Sequence, residues 1–175
     1  GVIRFHSKEG KVVAAVGELL ARIAHNERSL VARILASVTE VMSGSPNRVD
    51  VLSAACRLLS AVSRVRIGLP QFVEFGCLKE VVKAMRRFPK DESLQTDAIS
   101  FLLRAKTNAN SKEIVYSSGG LAAIVSSLVE NRENEELVTL ACSAIEELGS
   151  PKRFGVVFVE SGTFRCILEM FRTFS

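Results

Sequence analysis

The sequence has no tryptophan, one tyrosine and two histidines. His6 and His25 have no cysteine or carboxylate neighbour at the spacing a nucleophilic or metal-bound histidine needs. No enzymatic site is therefore expected, and no cofactor or metal. The four cysteines, Cys56, Cys77, Cys142 and Cys166, form no CxxC or CxxxC pair, which argues against zinc. Three lie in apolar helical runs, where a free cysteine acts as a small hydrophobe, so they are read as reduced thiols. Long hydrophobic runs are also missing. The stretch Val12 to Ala24 is broken by Gly17, Glu18 and Arg22 and is too short to span a bilayer. No secretory signal is visible, and the expected location is intracellular, cytoplasmic or nuclear. No apolar alternation of strand period occurs at useful length, and no low-complexity segment or linker divides the chain. Gly119-Gly120 is not followed by Lys-Ser/Thr, so it reads as a turn rather than a phosphate loop.

What is present is aliphatic and helical. The 175 residues are 47% hydrophobic and 24% charged, in the range of a soluble globular protein with one sizeable core. A net charge of +4 is mild. Lys79, Lys83, Arg86, Arg87 and Lys90 mark a basic strip, but no aromatics are interleaved for base stacking. The strip reads as a solvated surface, the alternative being a contact for an acidic partner, an anionic membrane or nucleic-acid phosphate. Neither nucleic acid nor a membrane surface is the partner expected.

The organising feature is an internal register of 43 residues. Gly76-Cys77-Leu78 is followed by Gly119-Gly120-Leu121 and then Gly162-Thr163-Phe164. The same offset carries Val81 to Ile124 to Ile167, and Met85 to Leu128 to Phe171. It also carries Leu94 to Leu137, Ala98 to Ala141 and Leu102 to Ile145. In-phase similarity of this length predicts a helical solenoid.

In chain order, 1–28 reads as a lead-in and the last helix, Lys11 to His25, of an incomplete repeat. Residues 29–68 form a degenerate repeat. Its first helix runs Ser29 to Met42, and Arg33 stands where later repeats have glycine, so one continuous helix is expected. Ser45-Pro46 reads as an N-cap followed by proline at the first helical position. Val51, Ala55, Leu59 and Val62 then form a buried stripe. Residues 69–110 and 111–150 are the two cleaner repeats. The first has a short helix Gln71 to Phe75, a turn at Gly76, a helix Leu78 to Arg87, and Asp91 capping a long helix Glu92 to Lys106. The second has a short helix from near Ser111 and a turn at Ser118-Gly119-Gly120. Helices Leu121 to Glu130 and Glu135 to Leu148 follow. Residues 151–175 form an incomplete repeat, with helices Lys152 to Glu160 and Phe164 to Phe174 but no long helix to cover Phe164, Ile167, Leu168 and Phe171. This open end predicts a piece of a longer protein, burial against another chain, or partial self-burial.

A short helix, a glycine turn, a middle helix, a loop and a long helix at this period resemble the armadillo repeat family. The match is carried by the turns at Gly76, Gly119 and Gly162. It is carried also by Ala55-Leu59-Val62, Ala98-Leu102-Ala105 and Ala141-Ile145-Leu148 on the long helices. HEAT repeats share the period, but the glycine turns and three-helix units favour armadillo. The resemblance implies an all-α, right-handed α-solenoid whose long third helices line a concave groove that binds extended peptides or partner helices. Nuclear-import receptors of this family use a tryptophan and an asparagine on each long helix. The corresponding positions here are Arg57, Ser100 and Ser143, and Ala61, Arg104 and Glu147. None matches, so recognition of a basic import signal by such a ladder is not expected.

A helical wheel puts Leu58 and Leu59 on the core side of the first long helix, and Ser53, Arg57, Ser60 and Arg64 opposite. Equivalent positions downstream give Thr96 and Ser100, then Thr139 and Ser143. The expected groove is thus a row of hydroxyls, Ser53, Thr96, Thr139, Ser100 and Ser143. It is basic at its first end through Arg57 and Arg104, and acidic at its last through Glu146 and Glu147. The function expected is a non-enzymatic protein–protein interaction scaffold with a protein or peptide partner. The alternative is a self-associating segment, a homodimer formed through Phe164, Ile167, Leu168 and Phe171.

Overall fold

A computed structural model describes residues 28–64, 69–106 and 109–148. Among the described residues the fold is all-helical, with no strand. The helices are α1 (Arg28–Gly44), α2 (Val49–Ser63), α3 (Leu69–Glu74), α4 (Cys77–Arg87), α5 (Glu92–Ala105), α6 (Ala109–Ser117), α7 (Gly120–Glu130) and α8 (Glu135–Leu148). The helices expected over Lys11–His25, Lys152–Glu160 and Phe164–Phe174 lie outside the described residues. So do Phe164, Ile167, Leu168 and Phe171 of the self-association end, the third turn glycine Gly162, and Cys166, His6 and His25.

Helix α1 buries Val31, Leu35, Val38 and Met42, spaced four, three and four apart, which keeps one stripe inward. It passes through exposed Arg33 unbroken, as the missing glycine predicts. The start of α2 differs from expectation. Arg48 N–H donates to Ser45 O at 3.1 Å, closing a turn with Pro46 at its second position, and the helix begins at Val49. The fixed φ of proline suits the second residue of a turn as well as the first residue of a helix, so Ser-Pro alone does not separate the two. The inward face of α2 is Leu52, Ala55, Cys56, Leu59 and Val62, and Val51 is only half-buried.

Two left-handed glycines set the angle between short and middle helices. Gly76 (φ 71°) precedes α4 and Gly119 (φ 81°) precedes α7. This region is open to glycine and strained for other residues. Of the long helices, α5 and α8 are capped by equivalent residues, whereas α2 starts after Arg48 with no side-chain cap. Asp91 Oδ1 accepts from Leu94 N at 2.8 Å, and Asn134 Oδ1, 43 residues on, accepts from Leu137 N at 3.0 Å. Each satisfies an N–H that the first helical turn leaves without a partner.

Packing follows the same register. The most extensive helix contact is α2 with α5, and α5 in turn packs on α8, while α1 meets α4 and α4 meets α7. Each of these helices therefore lies against the one three places further along. Phe72 of α3 and Phe101 of α5 meet edge to face at 5.0 Å between ring centres, both fully buried. Gln95 is buried and its Nε2 donates to Met85 O and Phe88 O, both at 2.9 Å, which closes the C-terminal end of α4. Asn131 Nδ2 donates to Pro89 O at 2.8 Å and Ser127 O at 2.7 Å, tying the end of α7 to the loop before α5. Among the described residues no helix is long and apolar enough to cross a membrane.

Candidate interaction face

The long helices α2, α5 and α8 stand side by side, so their polar faces are continuous. An open depression of about 710 Å³ lies between α5 and α8. Thr96 and Ser100 line it from α5, and Glu135, Glu136, Thr139, Leu140 and Ser143 from α8. Four positions expected from the sequence, Thr96, Ser100, Thr139 and Ser143, thus come together. Ser143 Oγ donates to Thr139 O at 3.1 Å, a back-bond that leaves the hydroxyl oxygen able to accept.

Arg57 and Arg104 lie apart from that depression, in the seam between α2 and α5. Arg57 Nε donates to Asp97 Oδ2 at 3.1 Å and its Nη2 to Ser93 Oγ at 2.8 Å. Arg104 Nη1 donates to Ser60 Oγ at 3.0 Å and to Ser100 O at 3.3 Å. Ser60, expected on the outer face, is buried, because the Arg104 side chain and the packed face of α5 cover it. Ser53 is half-buried on α2 and does not line the depression.

Asp97 was not singled out by sequence reasoning. It sits three residues before Ser100, the register equivalent of Arg57, hence on the same face one turn earlier. That offset is the signal that finds it. Burial pushes its pKa above the usual carboxylate value, opposed by the Arg57 hydrogen bond and by the charges of Arg57, Arg64 and Arg104. Arg104 is shifted down, first by burial and then by the like charge of Arg64, with Asp97 acting the other way.

The acidic end also differs from expectation. Glu147 is ion-paired with Lys106, and its carbonyl accepts from Lys112 Nζ at 3.1 Å. Its carboxylate joins α8 to Lys106 at the end of α5, and its backbone carbonyl joins α8 to α6. The glutamates that border the depression are Glu135 and Glu136 in the first turn of α8, where the helix dipole favours negative charge. Nothing in the 43-residue register distinguishes them, because the equivalent positions, Glu92 and Ser93, differ from them in part.

Much of the basic strip of α4 is engaged within the protein. Lys83 Nζ pairs with Glu80 at 2.6 Å, Arg87 Nη1 donates to Pro46 O at 2.9 Å, and Lys90 lies 3.6 Å from Glu130. Arg86 and Arg87 occupy the last turn of α4, where cations complement the helix dipole. A second depression of about 560 Å³ opens there, floored by Met42, Leu52 and Ala84.

Cys56 and Cys77 are buried thiols whose pKa values are raised chiefly by desolvation, and Cys77 Sγ lies 3.3 Å from Thr39 Oγ1 across the α1–α4 contact. Among the described residues no group of three His, Cys, Asp or Glu side chains is placed to hold a metal ion. Compared with family models, curated proteins and solved structures, the chain matches none.

Proposed function

We propose that the chain is a right-handed α-solenoid of armadillo-type three-helix repeats. In this reading it is a non-enzymatic, intracellular interaction scaffold. It holds an extended peptide or a partner helix in the groove lined by α2, α5 and α8. The observation that carries this reading is the meeting of Thr96, Ser100, Thr139 and Ser143 around one open depression. The hydroxyls of Thr96, Ser100 and Thr139 can donate and accept, and Ser143 Oγ, whose proton goes to Thr139 O, can accept. This suits a peptide backbone presenting both kinds of group at every residue. The repeated register, the paired caps Asp91 and Asn134, and the packing of helices three apart support the solenoid.

The test is a peptide selection from a displayed random library. Peptides selected on the protein are expected to lose about tenfold or more in affinity for Ser100→Arg/Thr139→Arg, which fills the depression. Lys79→Glu, on the exposed side of α4, should leave them unaffected. Binding that survives the double substitution in a folded protein refutes the groove as the site.

A further inference from the structure

The charges along this face are segregated. At the α2–α5 seam one carboxylate, Asp97, is held by Arg57 and lies in the field of two further guanidiniums, Arg64 and Arg104. Arg57 is committed to Asp97 at 3.1 Å. Arg64 and Arg104 are both exposed. Arg104 Nη1 donates to Ser60 Oγ at 3.0 Å across the seam, and its pKa is lowered first by burial and then by the like charge of Arg64. An anion arriving there relieves that repulsion. At the other side of the face Glu135 and Glu136 are exposed and border the depression. Between the two lie the hydroxyls, with Leu140 the one apolar side chain among the described residues lining the depression.

We infer, resting on the groove reading above, that the occupant is an extended peptide with opposed ends. An acidic residue seats against Arg64 and Arg104, a basic residue against Glu135 and Glu136, and uncharged residues cross between them. A docked amphipathic helix needs an apolar groove, which this lining does not provide. The length follows from the packing. Arg104 is in the last turn of α5, and Glu135 and Glu136 are in the first turn of α8. They are separated by roughly 10 Å across the helices and, over about eleven register positions at about 1.5 Å each, by roughly 17 Å along them. The span is thus roughly 20 Å from Arg104 and roughly 30 Å from Arg64 at the end of α2, or about six to nine extended residues at about 3.4 Å each.

The probes are synthetic peptides with two glutamates at one end, an alternating threonine–valine middle, and two lysines at the other, made in both chain directions. Controls carry glutamates at both ends, lysines at both ends, or no charge. Affinity is read by fluorescence anisotropy at low and high salt, and location by the amide NMR shifts of Ser100 and Thr139. The dipolar peptide, in its better direction, should bind about tenfold tighter than the uncharged one, from about threefold at each matched end. That margin should shrink with salt. Glu135→Lys/Glu136→Lys should transfer the preference to the doubly acidic peptide, and Arg64→Glu to the doubly basic one. If all peptides shift Ser100 and Thr139 with equal affinity, the charge polarity is wrong and the groove stands. If no peptide shifts those amides, both readings fall.

Discussion

Replacing Gly120 by alanine separates steric from propensity effects in this fold. Gly120 is the first residue of α7, and at that point helix propensity alone favours alanine, by up to about 1 kcal/mol. The backbone predicts the opposite. A Cβ on Gly120 would come within 2.5 Å of Val115 Cγ1, 2.7 Å of Val115 O and 3.2 Å of Val82 Cγ2. The valine side chains can yield, but the carbonyl belongs to the backbone of α6, so α6 and α7 must separate. Overpacking of this kind costs about 1–3 kcal/mol. For a chain of this size that lowers Tm by about 3–9 °C, at roughly 3 °C per kcal/mol. The assay is urea and thermal unfolding followed by helical circular dichroism. Val115→Ala/Gly120→Ala should recover only part of the loss beyond that of Val115→Ala alone, since Val115 O remains. A Gly120→Ala protein as stable as the parent, or more so, refutes the close approach. Gly76 is the contrast. It has φ 71° and nothing within 4 Å of a built Cβ. Gly76→Ala should therefore show only backbone strain, about 1 kcal/mol, much of it relieved in Gly76→Asn.

Other outcomes are as definite. Asp91→Ala and Asn134→Ala should each destabilise by about 1 kcal/mol through loss of an N-cap, and Asn134→Ala by slightly more, because its Nδ2 also donates to Glu92 Oε2 at 2.7 Å. Equal stability of either variant and the parent in urea contradicts the capping. Asp97 has a folded pKa above its ordinary value of 3.8. As pH falls through that folded value the native protein takes up the proton first, so Asp97's contribution to stability grows as pH drops toward 3.8. As pH falls, carboxyl NMR should show Asp97 taking up its proton above 3.8, and Asp97→Asn should flatten that part of the stability profile. A titration below 3.8 reverses the sign. In a Cys166→Ser background a maleimide should label exposed Cys142 in the native protein, and buried Cys56 and Cys77 only after denaturation. Rapid native labelling of either buried thiol contradicts the core assignment.

The helices were legible because their determinants are local. A positive-φ turn calls for glycine at 76 and 119, and a helix start calls for a side-chain acceptor at 91. The stripe Leu35, Val38 and Met42 repeats along one helix face. The misplaced start of α2 shows the limit of local reading, since Pro46 satisfies two geometries and only the hydrogen bond from Arg48 to Ser45 decides between them. The polar face was legible as a row of hydroxyls for the same reason that helical wheels work. Its charges were not. Ser60 is buried by an arginine 44 residues away, and Glu147 is neutralised by a lysine on another helix. Asp97 matters because Arg57 reaches it. These are pairings across helices, set by offsets of a turn between neighbours that a fixed register does not encode.

The bonds that cross between helices have one further consequence. Five of them, Arg57 to Asp97, Arg87 to Pro46, Asn131 to Pro89, Asn134 to Glu92 and Arg104 to Ser60, join residues 40, 41, 42, 42 and 44 apart. Lys112 to Glu147, Arg57 to Ser93 and Thr39 to Cys77 join residues 35, 36 and 38 apart. Since loop-closure entropy depends on the length of chain enclosed, these joins carry nearly the same entropic cost. Each can form as soon as the next helix layer of chain emerges, without waiting for a distant segment. A growing chain can therefore complete its structure in instalments of similar length, in the order in which it is synthesised.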